Sequence, residues 1–343
     1  MDAPNFAPLN LGLIGLGQAG RAQLQATSCI ASINVVALSE VVAPPALKNH
    51  AGVPLYKDWR ELLNDPAVEA VSICLPHHLH EQAAIAALEA DKHVLLEKPL
   101  ASTLEAARRI VAAAHAARRV LMVEMTHRFY PPVRAGRDLI AAGRLGQIYA
   151  VEDRIIQGVP PGSLAPWLFQ RQFAGGGVAL TNGIHMLDRI AWVCDQPLRF
   201  HSGVAGWTQQ LGDIEDTATM QLALQDGTPV SLLAAWPCVA APLDDELTIY
   251  GTRGTLRIWA WRGWRFEPHD GAAEEHSGYE PEDSSLARAY IGMGGALREF
   301  AAAIEEKRVP NPAPEQILAA QELVEQFYDC VGVTGSVTER FAK

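Results

Sequence analysis

Four short clusters in this chain of 343 residues combine residue types and spacings that can do chemistry. The first is Gly15-Leu16-Gly17-Gln18-Ala19-Gly20, which follows the apolar run Leu11 to Ile14 and opens a helical pattern. Bare backbone at Gly15 and Gly17 lets a pyrophosphate approach the turn that Leu16, Gln18 and Ala19 complete, and a helix N-terminus stabilises its charge. Glycine-rich turns also occur for backbone reasons alone. The context that raises this one is Glu40, at the end of the next expected strand, where a carboxylate can accept hydrogen bonds from ribose hydroxyls. Glu40 would repel a 2′-phosphate and Val41 and Val42 offer no cation, so NAD is preferred over NADP. A solvated strand-end carboxylate is the competing use.

The second cluster, Cys74-Leu75-Pro76-His77-His78-Leu79-His80, follows the apolar run Ala70 to Ile73 and so falls at the carboxyl edge of a sheet. His77 and His80 invite a metal reading, but no carboxylate or cysteine set completes one, and no metal is expected. Leu75, Pro76, His77 and His80 read instead as cofactor-pocket lining, with surface or capping histidines as the other use. The third cluster, Glu97-Lys98-Pro99, ends the run His93 to Leu96 on the same edge. A lysine there can donate to a substrate hydroxyl and stabilise a developing alkoxide; taken singly, such a pair is more often a solvated ion pair. The fourth runs from Gly175-Gly176-Gly177 to His185 and Asp188. His185 is expected near a helix start, where the dipole keeps an imidazole neutral enough to accept a proton, although a lone helical histidine is more often structural.

Alternation places these clusters on two domains. Up to residue 125, short β-rich runs (Leu11 to Ile14, Asn34 to Leu38, Ala70 to Ile73, His93 to Leu96, Val120 to Val123) alternate with helical patterns (Gly20 to Thr27, Trp59 to Asn64, His80 to Ala90, Leu104 to Ala117). That is a doubly wound parallel α/β sheet; Ser102 and Glu105 stand at capping-box spacing before the last helix. Residues 126–343 read as strands in succession, Ile148 to Gln157, Arg199 to Thr208, Asp216 to Leu224, Thr228 to Trp236, Glu246 to Tyr250, Thr255 to Trp259 and Trp264 to Glu267, then two helices, Met293 to Glu306 and Pro314 to Val331. This is an α+β pattern, an open and mainly antiparallel sheet with helices on one face.

A net charge of −11 argues against nucleic acid and anionic membranes as partners. Six of the carboxylates, Asp270, Glu274, Glu275, Glu280, Glu282 and Asp283, fall in one stretch expected to be a solvated surface segment. Five scattered cysteines without a C-x-x-C pair suit a reducing compartment. Met1 to Asn10 carry no Lys or Arg to start a secretory signal, so a cytoplasmic location is the default. The uncharged run Gly227 to Leu243 is interrupted by Pro229, Pro237 and Pro242 and cannot serve as a membrane span.

The ordered set Gly15-x-Gly17-x-x-Gly20, Leu75-Pro76-x-x-x-His80, Glu97-Lys98-Pro99, His127-Arg128-Phe129, Gly175-Gly176-Gly177 through Gly183-x-His185, and Ile249-Tyr250-Gly251 resembles the glucose-fructose oxidoreductase, inositol dehydrogenase and rhizopine-catabolism (Gfo/Idh/MocA) family over nearly the whole chain. The resemblance implies a Rossmann dinucleotide-binding domain over 1–125 and a substrate-binding and oligomerisation domain over 126–343, whose terminal helices can pack back on the first. It implies NAD(P)-dependent hydride transfer with a secondary alcohol or ketone of a sugar, sugar acid or cyclitol, Lys98 polarising the hydroxyl and His185 serving as acid and base. Glu97, Lys98 and Arg128 would face the cofactor; Lys98, His127, Arg128, Trp167, Thr181, Asn182 and His185 would face the polyol. Packing between domains is the other use of His127, Arg128 and Trp167.

Thr181 departs from that pattern, standing where the family usually has an aspartate four residues before the histidine. A hydroxyl can bond a sugar but adds no negative charge. Asn182 and Asp188 are the possible substitutes. Two rival readings stay open: a glycosidase or aldose-aldose enzyme that uses bound NAD transiently, and a non-catalytic dinucleotide-binding regulator. The resemblance also implies a homodimer or homotetramer through the second-domain sheet, with Trp207, Trp236, Trp259, Trp261 and Trp264 supplying apolar area.

Overall fold

β-branched and leucine side chains at both faces of short runs bury a parallel sheet between helices. In a computed structural model, which describes residues 7–42, 52–209, 211–279 and 285–332, these runs form β1 (Leu9–Ile14), α1 (Gln18–Thr27), β2 (Ile33–Ser39), β3 (Leu55–Tyr56), α2 (Trp59–Leu63), β4 (Ala70–Ile73), α3 (His80–Glu89), β5 (His93–Leu96), α4 (Leu104–Ala117) and β6 (Leu121–Val123). The six strands lie in the order β3-β2-β1-β4-β5-β6, all parallel. The order reverses between β1 and β4, and ligands of doubly wound sheets bind at that switch point. The expected strands β4 and β5 and helix α4 match residue for residue. The cap of α4 does not: Thr103, not Ser102, accepts the Ala106 N–H. The two-residue strand β3 is too short to leave a periodic signal.

The chain forms two compact units, Met1–Thr126 with Ala289–Leu318, and His127–Arg288 with Ala319–Lys343. In the second, α5 (Pro131–Ala141), β7 (Ile148–Ile156), a short α6 (Arg171–Ala174), α7 (Ile184–Cys194), β8 (Leu198–Gly206), β9 (Thr217–Leu224), β10 (Pro229–Ala235), β11 (Asp244–Gly251), β12 (Gly254–Trp259), β13 (Gly263–Pro268) and β14 (Glu274–His276) precede α8 (Ser285–Glu305) and α9 (Pro314–Cys330). The sheet order is β14-β13-β12-β11-β7-β10-β9-β8, with β7 and β10 parallel and the other pairs antiparallel. Sequence reading places no helix at α5; Pro131 and Pro132 start it, because the N–H that proline lacks is unpaired in a first helical turn anyway.

One face of this sheet is apolar and packs on α5 and α7. The opposite face carries alternating charge: Arg154 pairs with Asp244 at 2.8 Å, Arg257 with Glu267, and Arg265 with Glu267 at 3.1 Å and Glu275 at 3.5 Å. Trp236 is buried and donates to Asn182, and Trp261 packs on Tyr130, so neither supplies the exposed apolar face expected of it. Trp259 does lie among the charges, donating to Glu246. Part of the acidic stretch is ordered rather than merely solvated: Glu274 and Glu275 sit in β14, Glu274 paired with Arg144. Glu280, Glu282 and Asp283 lie outside the described residues. Among the described residues no helix is long and apolar enough to cross a membrane.

A buried ion triad ties α7 to the sheet. Arg189, with no exposed surface, donates to both oxygens of Asp153 on β7 and, at 2.6 Å, to Asp245 on β11. A lone buried carboxylate is far more costly than a paired one, so removing the cation strands two charges. Arg189→Met is expected to lower unfolding stability by about 3–5 kcal/mol in urea titration; a loss under about 1 kcal/mol would show the triad to be dispensable.

Candidate functional site

The glycine-rich turn sits at the switch point of the first unit, and each glycine has a different task. Gly15 has φ +89°, and a Cβ there would lie 2.5 Å from the Cys74 carbonyl oxygen. A Cβ on Gly20 would lie 1.9 Å from the Gly15 carbonyl oxygen, so only glycine lets α1 close on the turn. Gly17, the residue before α1, faces open space. A pyrophosphate needs such room at a helix N-terminus with no acidic side chain in its first turn, and α1 has none. Glu40 reaches across to this turn: Oε2 accepts the Leu16 N–H at 2.6 Å and Oε1 accepts the Val41 N–H at 2.8 Å. Oε1 also accepts the Val42 N–H at 3.5 Å, and Oε2 keeps a lone pair for a ribose hydroxyl. These residues fit a dinucleotide.

Behind the turn, the segments following β4 and β5 are pinned together by His80. Its Nδ1 lies 2.9 Å from the Pro99 carbonyl and its Nε2 2.8 Å from the Leu75 carbonyl. Burial lowers its pKa, the backbone carbonyls opposing. With both ring nitrogens on backbone, His80 holds the two loops in place. His77 is buried with its ring edge-on to that of His80. Glu97 and Lys98 end β5. Burial pulls the Lys98 ammonium below the ordinary lysine range, against the attraction of Glu97 and Glu124, and pushes both carboxyls up, Glu124 furthest. Glu124, Gln23 and Ser72 complete this buried polar cluster. Sequence reading missed all three, although a glutamate directly after the apolar run Leu121 to Val123 is a signal that could have been taken.

In the second unit, Gly175-Gly176-Gly177 is not a flexible approach to a ligand. A Cβ on Gly176 would lie 1.8 Å from the Tyr328 hydroxyl and one on Gly177 1.9 Å from the Glu215 carbonyl oxygen. The buried Glu215 carboxylate accepts the N–H groups of Gly177 and Ala179 at 3.0 Å and the Tyr328 hydroxyl at 2.9 Å. This staple, unseen in the sequence, sets the start of a π-helical turn, Ala179–Gly183, that runs into α7. His185 therefore lies inside a continuous helical run and not at its beginning. The dipole effect expected there is confined to a first turn and does not reach it. Its neighbour is His127, the two rings stacked with centroids 4.5 Å apart and planes 14° off parallel.

The remaining expected residues divide. Arg128 is buried and forks onto Asp188, Nε to Oδ2 at 2.9 Å and Nη2 to Oδ1 at 2.5 Å. Arg128 is thus held within the unit by Asp188, and the Asp188 carboxylate is engaged by Arg128. Asn182 is likewise fixed in orientation, donating to Gln157 at 2.9 Å and accepting from Trp236 at 3.2 Å. Thr181 is half-buried within the π-turn, and Trp167 is half-buried in the 3-10 turn Pro166–Phe169.

Comparison with known proteins agrees with this geometry. Residues 9–125 match the family model described as an oxidoreductase family with an NAD-binding Rossmann fold, and residues 133–257 match the GFO/IDH/MocA C-terminal domain. Similar curated proteins include levoglucosan dehydrogenase of Pseudarthrobacter phenanthrenivorans, 27% identical over 72% of this chain and 73% of that protein. Another is 1,5-anhydro-D-fructose reductase of Ensifer adhaerens, 37% identical over 57% and 58%. A solved levoglucosan dehydrogenase in complex with NADH and levoglucosan shares the fold, with TM-score 0.81 and 23% identity over 96% of this chain and 98% of that one.

The glycine geometry separates binding from folding. Gly17→Ala is expected to keep stability within about 0.5 kcal/mol while weakening NAD+ binding in calorimetric titration, because its methyl enters the open space. Gly20→Ala is expected to lower the melting temperature even without cofactor. Equal NAD+ affinity in wild type and Gly17→Ala would overturn the assignment of this turn.

Proposed function

The chain belongs to the GFO/IDH/MocA oxidoreductase family, and from that premise we propose that it is an NAD-dependent dehydrogenase or reductase of a secondary alcohol on a sugar, sugar acid or cyclitol. Residues 1–125 would hold the dinucleotide and 126–343 the substrate. Glu40, with no cation at Val41 or Val42, favours NAD over NADP. The observation that carries the reading is Lys98: a lysine at the carboxyl end of β5, beside the loops that follow β1 and β4, flanked by carboxyls that keep its charge local. The two similar proteins, levoglucosan dehydrogenase and 1,5-anhydro-D-fructose reductase, are both named for small carbohydrates, which supports the substrate class.

NAD, when bound, takes up or gives the hydride. Lys98 donates a hydrogen bond to the substrate oxygen and stabilises the alkoxide that forms as hydride leaves the carbon. His185 takes the hydroxyl proton on an imidazole nitrogen during oxidation and returns it during reduction. His127, stacked on His185, restricts the ring to one orientation. Free thiols at Cys29, Cys74, Cys194, Cys238 and Cys330 support a reducing, cytoplasmic setting.

NADH absorbance with a panel of levoglucosan, 1,5-anhydro-D-fructose, inositols and sugar acids tests this. Lys98→Met and His185→Ala are each expected to lower kcat/KM by about 10²–10⁴-fold on the substrate found. Full turnover in both variants would remove the proposed roles, and cofactor binding without hydride exchange would select the regulatory reading. The charged face of the second-unit sheet belongs to the same proposal as the surface that a second copy covers. Sedimentation is expected to give a dimer or tetramer whose dissociation rises with salt, and a monomer at low salt would overturn it.

A further inference from the structure

Parallel register sets two carboxyls side by side under Lys98. Leu96 of β5 pairs with Val123 of β6, and the Glu124 N–H continues the ladder to the Leu96 carbonyl at 2.8 Å. The next residues along, Glu97 and Glu124, thus leave neighbouring strand ends roughly 5 Å apart on one face. At that separation the two carboxyls act on each other, and burial raises the pKa of both, Glu124 furthest. A carboxylate has no hydrogen to donate, so two carboxyls bond only around a proton.

One donor to the pair is fixed by the packing of α1 on the sheet. Glu124 Oε2 accepts from Gln23 Nε2, and Gln23 is fixed in that orientation because its Oε1 accepts the Ser72 hydroxyl. Glu124 Oε1 is buried and receives no N–H or O–H among the described residues. Around the pair stand Gln23 from α1, Ser72 and Cys74 from the β4 strand and its end, and Lys98 from the end of β5. The Cys74 thiol is held well above its usual range by burial and by the two glutamates, so it adds no charge.

We propose that Glu124 is a positioning residue for Lys98, acting through Glu97: the two carboxyls hold one proton between them and face Lys98 with one negative charge in place of two. The consequence for turnover rests on the reading of Lys98 as the group that polarises the substrate hydroxyl. While the proton is held, one carboxylate balances one ammonium, and the pair draws Lys98 less strongly than two carboxylates would. When the proton leaves at higher pH, a doubly charged pair draws Lys98 toward itself. The folded pair keeps a proton that the unfolded chain releases above about pH 4.5. Unfolding then releases that proton, and stability falls as pH rises from there until the folded pair ionises as well.

Glu124→Gln is the informative variant, since its amide accepts from Gln23 and donates permanently to Glu97. Infrared difference spectra at neutral pH, wild type minus Glu124→Gln, are expected to show a protonated-carboxyl C=O band lost in the variant. With a turned-over polyol, plateau kcat is expected to stay within about threefold while the alkaline inflection of kcat/KM contributed by the pair disappears. Glu124→Leu, which leaves Gln23 without an acceptor and Glu97 without a donor, is expected to lose kcat with little change in KM for NAD+. A wild type without the band, or a band unchanged in Glu124→Gln, overturns the proposal whatever the activity. Full turnover by Lys98→Met would overturn the role of Lys98 and leave the infrared result to decide the shared proton. An alkaline inflection unchanged in Glu124→Gln would sever the pair from Lys98.

Discussion

A parallel sheet delivers every strand end, with its unpaired backbone and its next side chain, to one edge. In the first unit that constraint decides nearly everything of chemical interest. β1 ends in the glycine turn, β2 in Glu40, β4 in Cys74, β5 in Glu97 and Lys98, and β6 in Glu124. No side chain has to travel to join the group, because the register brings it there. The same crowding is why the edge is polar and yet buried, and why its members answer to one another: the Leu16 N–H to Glu40, His80 to two carbonyls, Gln23 to Glu124. Moving any strand by one residue would turn its terminal side chain to the opposite face.

The second unit solves a different problem, that of holding helices in fixed rotation over a sheet. It does so with buried charge. Arg189 sits between Asp153 and Asp245, Arg128 forks onto Asp188, and Glu215 gathers two backbone N–H groups and a tyrosine hydroxyl. Leucine in those positions would pack as well and stabilise as much, since desolvation consumes most of the attraction in a buried pair. What ionic partners add is direction: a guanidinium between two carboxylates admits one rotation of α7, and with it one placement of His185 four residues earlier on the same helix.

The strands and helices of the first unit were legible because each combines a periodic apolar pattern with a punctuating residue, and residues 70–73, 93–96 and 104–117 carry both signals in full. The glycine turn and Lys98 were legible as positions on that frame. What escaped was pairing. Nothing in the spacing of Arg128 and Asp188, sixty residues apart, distinguishes a ligand-binding pair from a buried fork, and the chemistry of the two side chains is the same in either use. Glu124 and Glu215 escaped for the related reason that a single carboxylate beside an apolar run reads as a solvated strand end until its neighbours are known. Gly175 to Gly177 misled in the other direction: three glycines in a row suggest slack, whereas two of them exist to let a tyrosine and a carbonyl come close.

The departure at Thr181 takes on a specific meaning in this setting. With no carboxylate four residues before His185, and with Asp188 and Asn182 committed elsewhere, the structure places another imidazole against the ring. Arg189 Nη1 lies 3.4 Å from Nδ1 of His127, and a guanidinium can only donate, so that nitrogen accepts and the ring carries its proton on Nε2. His127 is thereby a flat wall, backed by a cation whose own charge Asp153 and Asp245 already balance. An aspartate at position 181 would add a negative charge near His185; the stacked ring of His127 adds a flat surface that orients it instead.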